Sequence, residues 1–299
     1  MTTRRMNLTP LAIAALLTAA TPVLGLANRV YVSQRSGNDA NSCDNILTPC
    51  QTFAGAVLQL NPGGEVIVLD SGGYGPVTIT QALTIEAPPG VIAFIHPPSG
   101  DAITVSTGSS DAVTLRGLVL NDGSVGINVT SVGTLRIEGC ALSGFTSGVA
   151  FETAGTLEMK ETTVASVVDA AVLIQPPTGK AYFSIDHCRF VDNFLGVYIE
   201  DRTTGTASNS VFARQSGGAV GAGLFGPGKT EFNLENCVIS NNETGIVSNG
   251  ALVRVSNSTL TNNDTALDPI GSGSILTRNN NTVQGNTTKG SFTGSYGAD

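Results

Sequence analysis

The sequence contains no tryptophan, few aromatic residues and little charge. Of its 299 residues, only five are Tyr and eleven Phe. Charged residues make up 13% of the chain, against about 25% in an average soluble protein. Lys and Arg are scattered singly among a larger number of acids, which argues against nucleic acid as a partner because phosphate binding needs clustered basic residues. The absence of Trp and the scarcity of aromatics argue against tight carbohydrate binding.

Histidine and long apolar runs are also scarce. Only two histidines are present, and His96, in Ile95-His-Pro-Pro98, has no acidic or cysteine partner at metal-site spacing, so the sequence indicates no metal site. After Leu26 no segment approaches twenty apolar residues, so we expect no membrane span beyond that point. Nothing in the sequence specifies an oligomeric state.

The N-terminus has the pattern of a secretory signal. Arg4 and Arg5 precede an apolar stretch from Leu11 to Leu26, which ends at small residues. This predicts a signal peptide over residues 1–27 and an exported protein, periplasmic or extracellular. The pair of arginines also resembles a twin-arginine signal. Removing both would change the formal net charge from −8 to about −10.

The rest of the chain is a repeat with a period in the twenties. Eight reference residues mark it: Leu118, Cys140, Thr162, Cys188, Ser210, Cys237, Ser258 and Asn281. The residue two places later is always apolar, and the residue eight places later is small in seven of the eight segments. Such self-similar segments of alternating strands and Gly/Asn turns indicate a solenoid, in which each coil buries its inner face on its neighbours.

The column just before the reference residues is mostly Gly and Asn, which enter the left-handed region at least cost. This column reads Gly117, Gly139, Glu161, His187, Asn209, Asn236, Asn257 and Asn280. With coils of 21 to 27 residues and stacked small residues, the chain resembles the right-handed parallel β-helix of the pectate-lyase (pectin lyase-like) superfamily. The resemblance covers residues 65–287 and implies an all-β fold of about ten coils.

The remaining segments are predicted to cap or extend this solenoid. Residues 28–64 are expected to hold a strand, a loop closed by a disulfide between Cys43 and Cys50, and a short capping helix from Thr52 to Leu60 that stops at Asn61-Pro-Gly-Gly64. Residues 288–299 are predicted to be a flexible tail. The other three cysteines are expected to be buried free thiols, because they lie two coils apart, about 9.6 Å, beyond the reach of a disulfide.

Catalytic motifs of the superfamily are largely missing. The Asn-Thr-Asp, Asp-Asp, Gly-His-Gly and Arg-Ile-Lys elements of polygalacturonase-like hydrolases are absent, as is the Asp-Pro-His element of alginate epimerases. Ser184-Ile185-Asp186-His187 matches three residues of the Trp-Ile-Asp-His element of pectate lyases, but their Arg-x-Pro-x-x-Arg element is absent. If the protein is an enzyme, the catalytic candidates are Lys160, Asp186, His187 and Arg189. His187 also fits a purely conformational role in the turn column. No cofactor is expected, and Ca²⁺ only if the protein is lyase-like.

A ligand surface is predicted on the outward face of coil 181–202. Its candidate ligand-binding residues are Tyr182, Ser184, Asp186 and Arg214. Two structural alternatives remain open. In the first, the charges along one column only stabilise the stack as a salt ladder, since they alternate in sign: Arg116, Glu138, Lys160 and Asp186. In the second, Asp192 and Arg214 on adjacent coils pair only with each other.

The leading hypothesis is an exported β-helix protein that contacts a polysaccharide or a cell-envelope surface. One alternative is a polysaccharide lyase or glycoside hydrolase with its site on coil 181–202. The other is a structural or adhesive solenoid. The carbohydrate part of these hypotheses depends on fold analogy.

Overall fold

The computed structural model describes residues 26–223 and 228–297. The predicted signal peptide lies outside the described residues except for its last two positions. Ala27, the final residue of that predicted segment, already begins the first strand.

The described chain consists of 29 strands and one short helix. In chain order they are β1 (Ala27–Val32), α1 (Phe53–Leu58), β2 (Leu60–Val68), β3 (Gly72–Gly73), β4 (Val77–Ile79), β5 (Leu83–Glu86), β6 (Ala93–Ile95), β7 (Ile103–Ser106), β8 (Ala112–Arg116), β9 (Leu118–Ser131), β10 (Thr134–Glu138), β11 (Ala141–Phe151), β12 (Gly155–Lys160), β13 (Thr163–Ala165), β14 (Ala170–Ile174), β15 (Ala181–Asp186), β16 (Arg189–Val191), β17 (Leu195–Ile199), β18 (Thr203–Ser208), β19 (Val211–Ala213), β20 (Gly218–Gly223), β21 (Glu231–Glu235), β22 (Val238–Ser240), β23 (Thr244–Asn249), β24 (Leu252–Ser256), β25 (Thr259–Thr261), β26 (Thr265–Ile270), β27 (Ser274–Thr277), β28 (Thr282–Gln284) and β29 (Gly294–Ser295).

These strands stack in parallel to form three faces of a β-helix. Face 1 is the twelve-stranded sheet β1-β2-β5-β8-β10-β12-β15-β18-β21-β24-β27-β29. Face 2 contains the short strands that follow face 1 in each coil, such as β13, β16 and β19. Face 3 contains the next strands, such as β14, β17 and β20. The long strands β9 and β11 run through both face 2 and face 3.

The core is the interior of this stack, and alternation along each strand decides which residues enter it. Leu135 and Ile137 on β10 are fully buried, whereas Arg136 between them points outward. The register is exact between neighbouring coils, with Ile137 beside Leu115 on one side and Met159 on the other. The parallel β-helix of about ten coils predicted from the repeat is therefore confirmed.

The predicted turn column adopts the left-handed conformation. Seven of its members have φ between 47° and 69°, including Glu161 (51°) and His187 (52°). In the last coil the positive φ falls on Asn279 (64°), one place before the predicted Asn280. Each of these residues turns the chain from face 1 into face 2.

The N-terminal end of the stack is covered by α1 and the loop before it. Thr52 caps the helix, since its hydroxyl accepts a hydrogen bond from the Gly55 N–H (2.9 Å). Cys43 and Cys50 are joined by a disulfide. Backbone hydrogen bonds from this loop to Tyr31 and Ser33 cover the outer edge of β1.

Both ends of the β-helix extend beyond the predicted limits. The helix was expected to end at Asn61-Pro-Gly-Gly64, but α1 stops at Leu58 and those four residues belong to β2. Because β1 pairs in parallel with β2, the stack begins at Ala27 instead of residue 65. At the other end, residues 288–299 were predicted to be a flexible tail, yet β29 pairs with β27 and Thr288 bridges to Thr265. The described part of the segment extends the last coil.

Amide side chains, all buried except the last, form a ladder at the corner between face 2 and face 3. Its members lie five places after successive reference residues: Asn193, Gln215, Asn242, Asn263 and Asn286. Each side-chain oxygen accepts a backbone N–H from the preceding coil, at 2.8 to 3.0 Å. Each side-chain nitrogen donates to a backbone carbonyl of that coil. The ladder satisfies polar groups that the corner would otherwise bury without partners.

Among the described residues, no helix is long and apolar enough to cross a membrane.

Cys140, Cys188 and Cys237 are buried free thiols in the structure. Mass spectrometry of the non-reduced protein should therefore find a single bridge, Cys43–Cys50. After unfolding, a thiol reagent should label the other three cysteines, which the folded core protects. A bridge among those three would contradict the register of the coils.

Candidate functional site

The candidate ligand surface lies on the outer side of face 1, centred on β15. Alternation directs Tyr182, Ser184 and Asp186 outward, and the Tyr182 side chain is the most prominent of them because this residue is 49% exposed. Tyr182 lies between Thr156 and Thr204 on the neighbouring strands. The centre of the surface is thus an aromatic ring flanked by hydroxyl-bearing residues.

Lys160 lies beside Asp186, as the repeat predicts. The two residues are partners in the register of β12 and β15, and Ser208 is the partner of Asp186 on the other side. A shallow depression of about 250 Å³ is present here, lined by Glu138, Glu158, Met159, Lys160, Ser184 and Asp186. It brings together three of the predicted residues, Lys160, Ser184 and Asp186, and Tyr182 lies outside it, two residues before Ser184 on the same strand.

The column of alternating charges that was predicted as a salt ladder, Arg116, Glu138, Lys160 and Asp186, forms ion pairs at one end only. Arg116 contacts Glu86 (2.9 Å) and Glu138 (2.8 Å), as a salt ladder requires. Lys160, in contrast, contacts the neighbouring turn residue Glu161 at 3.6 Å. Asp186 has other partners. Among the described residues no ion pair joins Lys160 to Glu138 or to Asp186, so the ladder ends at Glu138, where the depression lies.

Asp186 accepts hydrogen bonds from three side chains. Asn209 Nδ2 and Ser208 Oγ both donate to its Oδ1 at 2.8 Å, and His187 Nδ1 lies 2.8 Å from its Oδ2. These contacts, led by Asn209, lower the pKa of Asp186 to about 2 against the opposing effect of burial. The group is therefore ionised at neutral pH. Its contribution to stability is present above the ordinary carboxyl pKa and is lost as the pH falls through about 2.

This arrangement orients the imidazole of His187. With Nδ1 directed at the carboxylate, Nε2 is left for solvent or a ligand, because the side chain is exposed. A carboxylate-oriented imidazole can accept or donate a proton, which is the chemistry of a general acid–base catalyst. The same residue also makes the left-handed turn at φ 52°, as the conformational alternative requires.

Arg189 and Arg214 are not on this surface. Arg189 begins β16 on face 2, and Arg214 lies in the turn after β19. Arg214 Nε and Nη2 donate to the two carboxylate oxygens of Asp192 at 2.6 and 2.8 Å. Arg214 therefore borders coil 181–202 at Asp192, on a different side of the coil from Tyr182, Ser184 and Asp186. The chain turns between face 1 and face 2, so residues of one coil that are close in sequence point in different directions.

Besides the amide ladder, two features of the coils were missed by sequence reasoning. Asp192 and Arg214 belong to a second left-handed column, four places after the reference residues, and both have φ of 58°.

A second cleft, of about 450 Å³, lies at the end of face 3 and is lined in part by Glu152, Gln175 and Glu200. Burial raises the pKa of Glu200, with a further contribution from Asp201. Glu152, Gln175 and Glu200 occupy equivalent positions on successive coils, and this was the signal in the sequence that could have predicted the cleft.

Metal ligands are not clustered. Among residues 26–223 and 228–297, no group of three or more His, Cys, Asp or Glu side chains could hold a metal ion. A Ca²⁺ site would need several carboxylate or carbonyl oxygens around one point.

Comparisons with solved structures identify the fold. A crystal structure of pectate lyase Pel9A has a TM-score of 0.67 and 16% sequence identity, over 91% of this chain and 80% of that chain. An alginate lyase from Paenibacillus sp. str. FPU-7 has a TM-score of 0.57 and 13% identity, over 91% of this chain and 99% of that chain. These similarities show a pectin lyase-like right-handed parallel β-helix, as predicted, and no more, because sequence identity is low.

The amino-acid sequence identifies the family. No curated protein matches it. A family model described as "Periplasmic copper-binding protein (NosD)" matches residues 94–296, which is more than half of the chain. The chain therefore belongs to the NosD family.

Proposed function

We propose that the protein is exported to the periplasm and contacts a polysaccharide or cell-envelope surface with face 1. The family is described as periplasmic, and the N-terminal pattern of Arg4, Arg5 and the apolar stretch Leu11–Leu26 supports export. The similar solved structures include a pectate lyase and an alginate lyase. This fold analogy favours a polysaccharide as the ligand but does not carry the proposal alone.

The observation that carries the proposal is the interruption of the ion-pair ladder at β12 and β15. At this point the outer face presents the Lys160 ammonium, the Ser184 hydroxyl and the carboxylates of Glu138, Glu158 and Asp186, and the Tyr182 ring lies outside the depression on the same strand as Ser184. An aromatic ring beside hydroxyl and charged groups is suited to a sugar, whose rings have apolar faces and hydroxyl edges. Asp186 is already ionised and oriented by its neighbours, so binding does not require it to reorganise.

The Asp186–His187 contact supports a second candidate function, a polysaccharide lyase or glycoside hydrolase. Its 2.8 Å geometry would let His187 transfer a proton to or from a substrate on face 1. Lys160 would be the neighbouring cation in that case, whereas Arg189 points outward from face 2. A structural or adhesive role remains the third hypothesis.

Neither Ca²⁺ nor the copper of the family description is part of the proposed function. In the described ranges the candidate donors do not converge in a group large enough for a metal site.

The double variant Tyr182→Ala/Asp186→Ala tests the proposal. We expect it to lose affinity for its polysaccharide by roughly tenfold or more, about 1.4 kcal/mol, because it removes the ring and the oriented acceptor together. Both side chains are on the outer face, so the circular dichroism spectrum should not change. The measurement is binding and product release on a panel of uronate and neutral polysaccharides, with and without Ca²⁺.

A matched control is the double variant Asp192→Ala/Arg214→Ala. It also removes two outward side chains, but from the turn between face 2 and face 3, and it should bind as the unaltered protein does. Equal losses in both variants would contradict a site on face 1. Product release by the unaltered protein would favour the enzyme. Binding without product release would favour the leading proposal. If the protein neither binds a polysaccharide nor releases products, the structural role would be favoured.

A further inference from the structure

The donors that copper prefers are few in this chain, and all of its histidines and cysteines lie in described residues. Imidazole nitrogen and thiolate or thioether sulfur are the usual protein ligands of copper. The sequence has two histidines, five cysteines and three methionines. Two of the cysteines are joined in the disulfide, and Met159 is the single methionine within the described ranges.

The two histidines cannot share one metal ion. His96 follows β6, and His187 precedes β16. The pairings β6–β9, β9–β11, β11–β13 and β13–β16 place four coil steps between them. At about 4.8 Å per step they are roughly 19 Å apart along the axis. Ligands bound at about 2.0–2.3 Å from one ion are at most about 4.6 Å from each other.

The three thiols are separated as well. Thr162 lies in the same column between Cys140 and Cys188, and Ser210 lies between Cys188 and Cys237. Each cysteine is therefore two coils, about 9.6 Å, from the next. Each is almost fully buried, whereas His187, next to Cys188 in sequence, points to solvent. Burial also raises the pKa of each thiol to about 11, which disfavours the thiolate that binds metals.

The thiols have a different role in this column. The Sγ of Cys140, Cys188 and Cys237 is within hydrogen-bond distance of the carbonyl oxygen two residues earlier, at 3.5, 3.3 and 3.3 Å. The hydroxyls of Thr162, Ser210 and Ser258 donate to the equivalent carbonyls at 2.9, 2.6 and 2.8 Å. The hydroxyls also accept the backbone N–H of the preceding cysteine. Cysteine and hydroxyl residues alternate as donors to the same turn.

We infer that this member of the NosD family does not hold copper in its folded β-helix, and that its three free thiols are structural hydrogen-bond donors. The family description and the donor set of this chain therefore disagree. The residues that match the family model, 94–296, are those of the coil repeat, which needs no metal ligand.

Copper uptake by the purified protein tests this inference. The protein is incubated with excess Cu(II), or with excess Cu(I) under anaerobic reducing conditions, then desalted and analysed for copper by mass spectrometry. We expect the folded protein to retain far less than one ion per chain. The same protein unfolded in guanidinium chloride should bind Cu(I), because unfolding exposes the thiols together.

The variant Cys140→Ser/Cys188→Ser/Cys237→Ser separates the two parts of the inference. It should fold, since serine already occupies this column at two positions. In the unfolded state it should take up less Cu(I) than the unaltered protein, because only Cys43 and Cys50 remain to supply thiols once their disulfide is reduced. The three single variants serve the same purpose if the triple variant is too unstable. Stoichiometric copper on the folded unaltered protein would overturn the inference, as would failure of every single serine variant to fold. The variant His96→Gln/His187→Gln would show whether the histidines hold any retained Cu(II).

Discussion

Ile137→Asp should abolish folding of the β-helix. The side chain is fully buried on β10, between Leu115 and Met159 of the neighbouring strands. An unpaired carboxylate at this position costs several kcal/mol even after relaxation, a large part of the roughly 5–15 kcal/mol that stabilises a typical domain. The expected result is loss of the β-sheet circular dichroism signal and of the soluble protein.

Arg136→Ser is the matched control on the other side of the same strand. Arg136 is partly exposed and forms an ion pair with Glu158 at 2.7 Å. Exposed ion pairs contribute little, so the loss should be less than about 1 kcal/mol. Similar urea midpoints for the two variants would contradict the assignment of inside and outside.

Asn242→Leu should be the second most damaging of the proposed changes. Asn242 is 3% exposed. Its Oδ1 accepts the Gln215 N–H (2.9 Å), and its Nδ2 donates to the Phe212 carbonyl (3.2 Å). Leucine has a similar size but leaves both backbone groups without these partners. At about 1–3 kcal/mol for each unsatisfied group, the loss should be roughly 2–6 kcal/mol in the free energy of unfolding.

Asn241→Gly controls for the neighbouring position. Asn241 is exposed and has φ of 58°, a conformation that glycine adopts readily. Its replacement should change the free energy of unfolding by no more than about 0.5 kcal/mol. Urea denaturation of both variants measures the difference. If Asn242→Leu were as mild as the control, the amide ladder would not be needed for the stability of the corner.

Much of the fold could be predicted because the repeat is local and regular. The strand period of two predicts that Ile137 is inside and Arg136 outside, and the spacing of the coils places Lys160 beside Asp186. The amide ladder was equally accessible, since its members all lie five places after a reference residue. It was missed because buried Asn and Gln do not follow the apolar alternation that identifies a strand.

The ends of the β-helix were predicted less well. Residues 61–64 were interpreted as a helix stop, and residues 288–299 as a tail, because Pro, Gly, Ser and Thr usually mark breaks. In the structure Gly64 pairs with Leu83 of β5, and Gly294 and Ser295 pair with Leu276 and Thr277 of β27. Tertiary pairing therefore overrides the local preference of these residues.

The coil, its register and the inner and outer sides of each strand could be predicted from the amino-acid sequence, because these depend on spacing along the chain. Which outer residues share a surface could not, because it depends on how the chain turns in three dimensions. The two left-handed turns of each coil rotate Arg189 onto face 2 and Arg214 into the next turn, away from Tyr182. The partners of the charged groups also depend on the folded structure. Lys160 contacts Glu161, whereas Asp186 accepts hydrogen bonds from Asn209, Ser208 and His187. These choices depend on the direction of side chains in three dimensions, which a period along the chain does not contain.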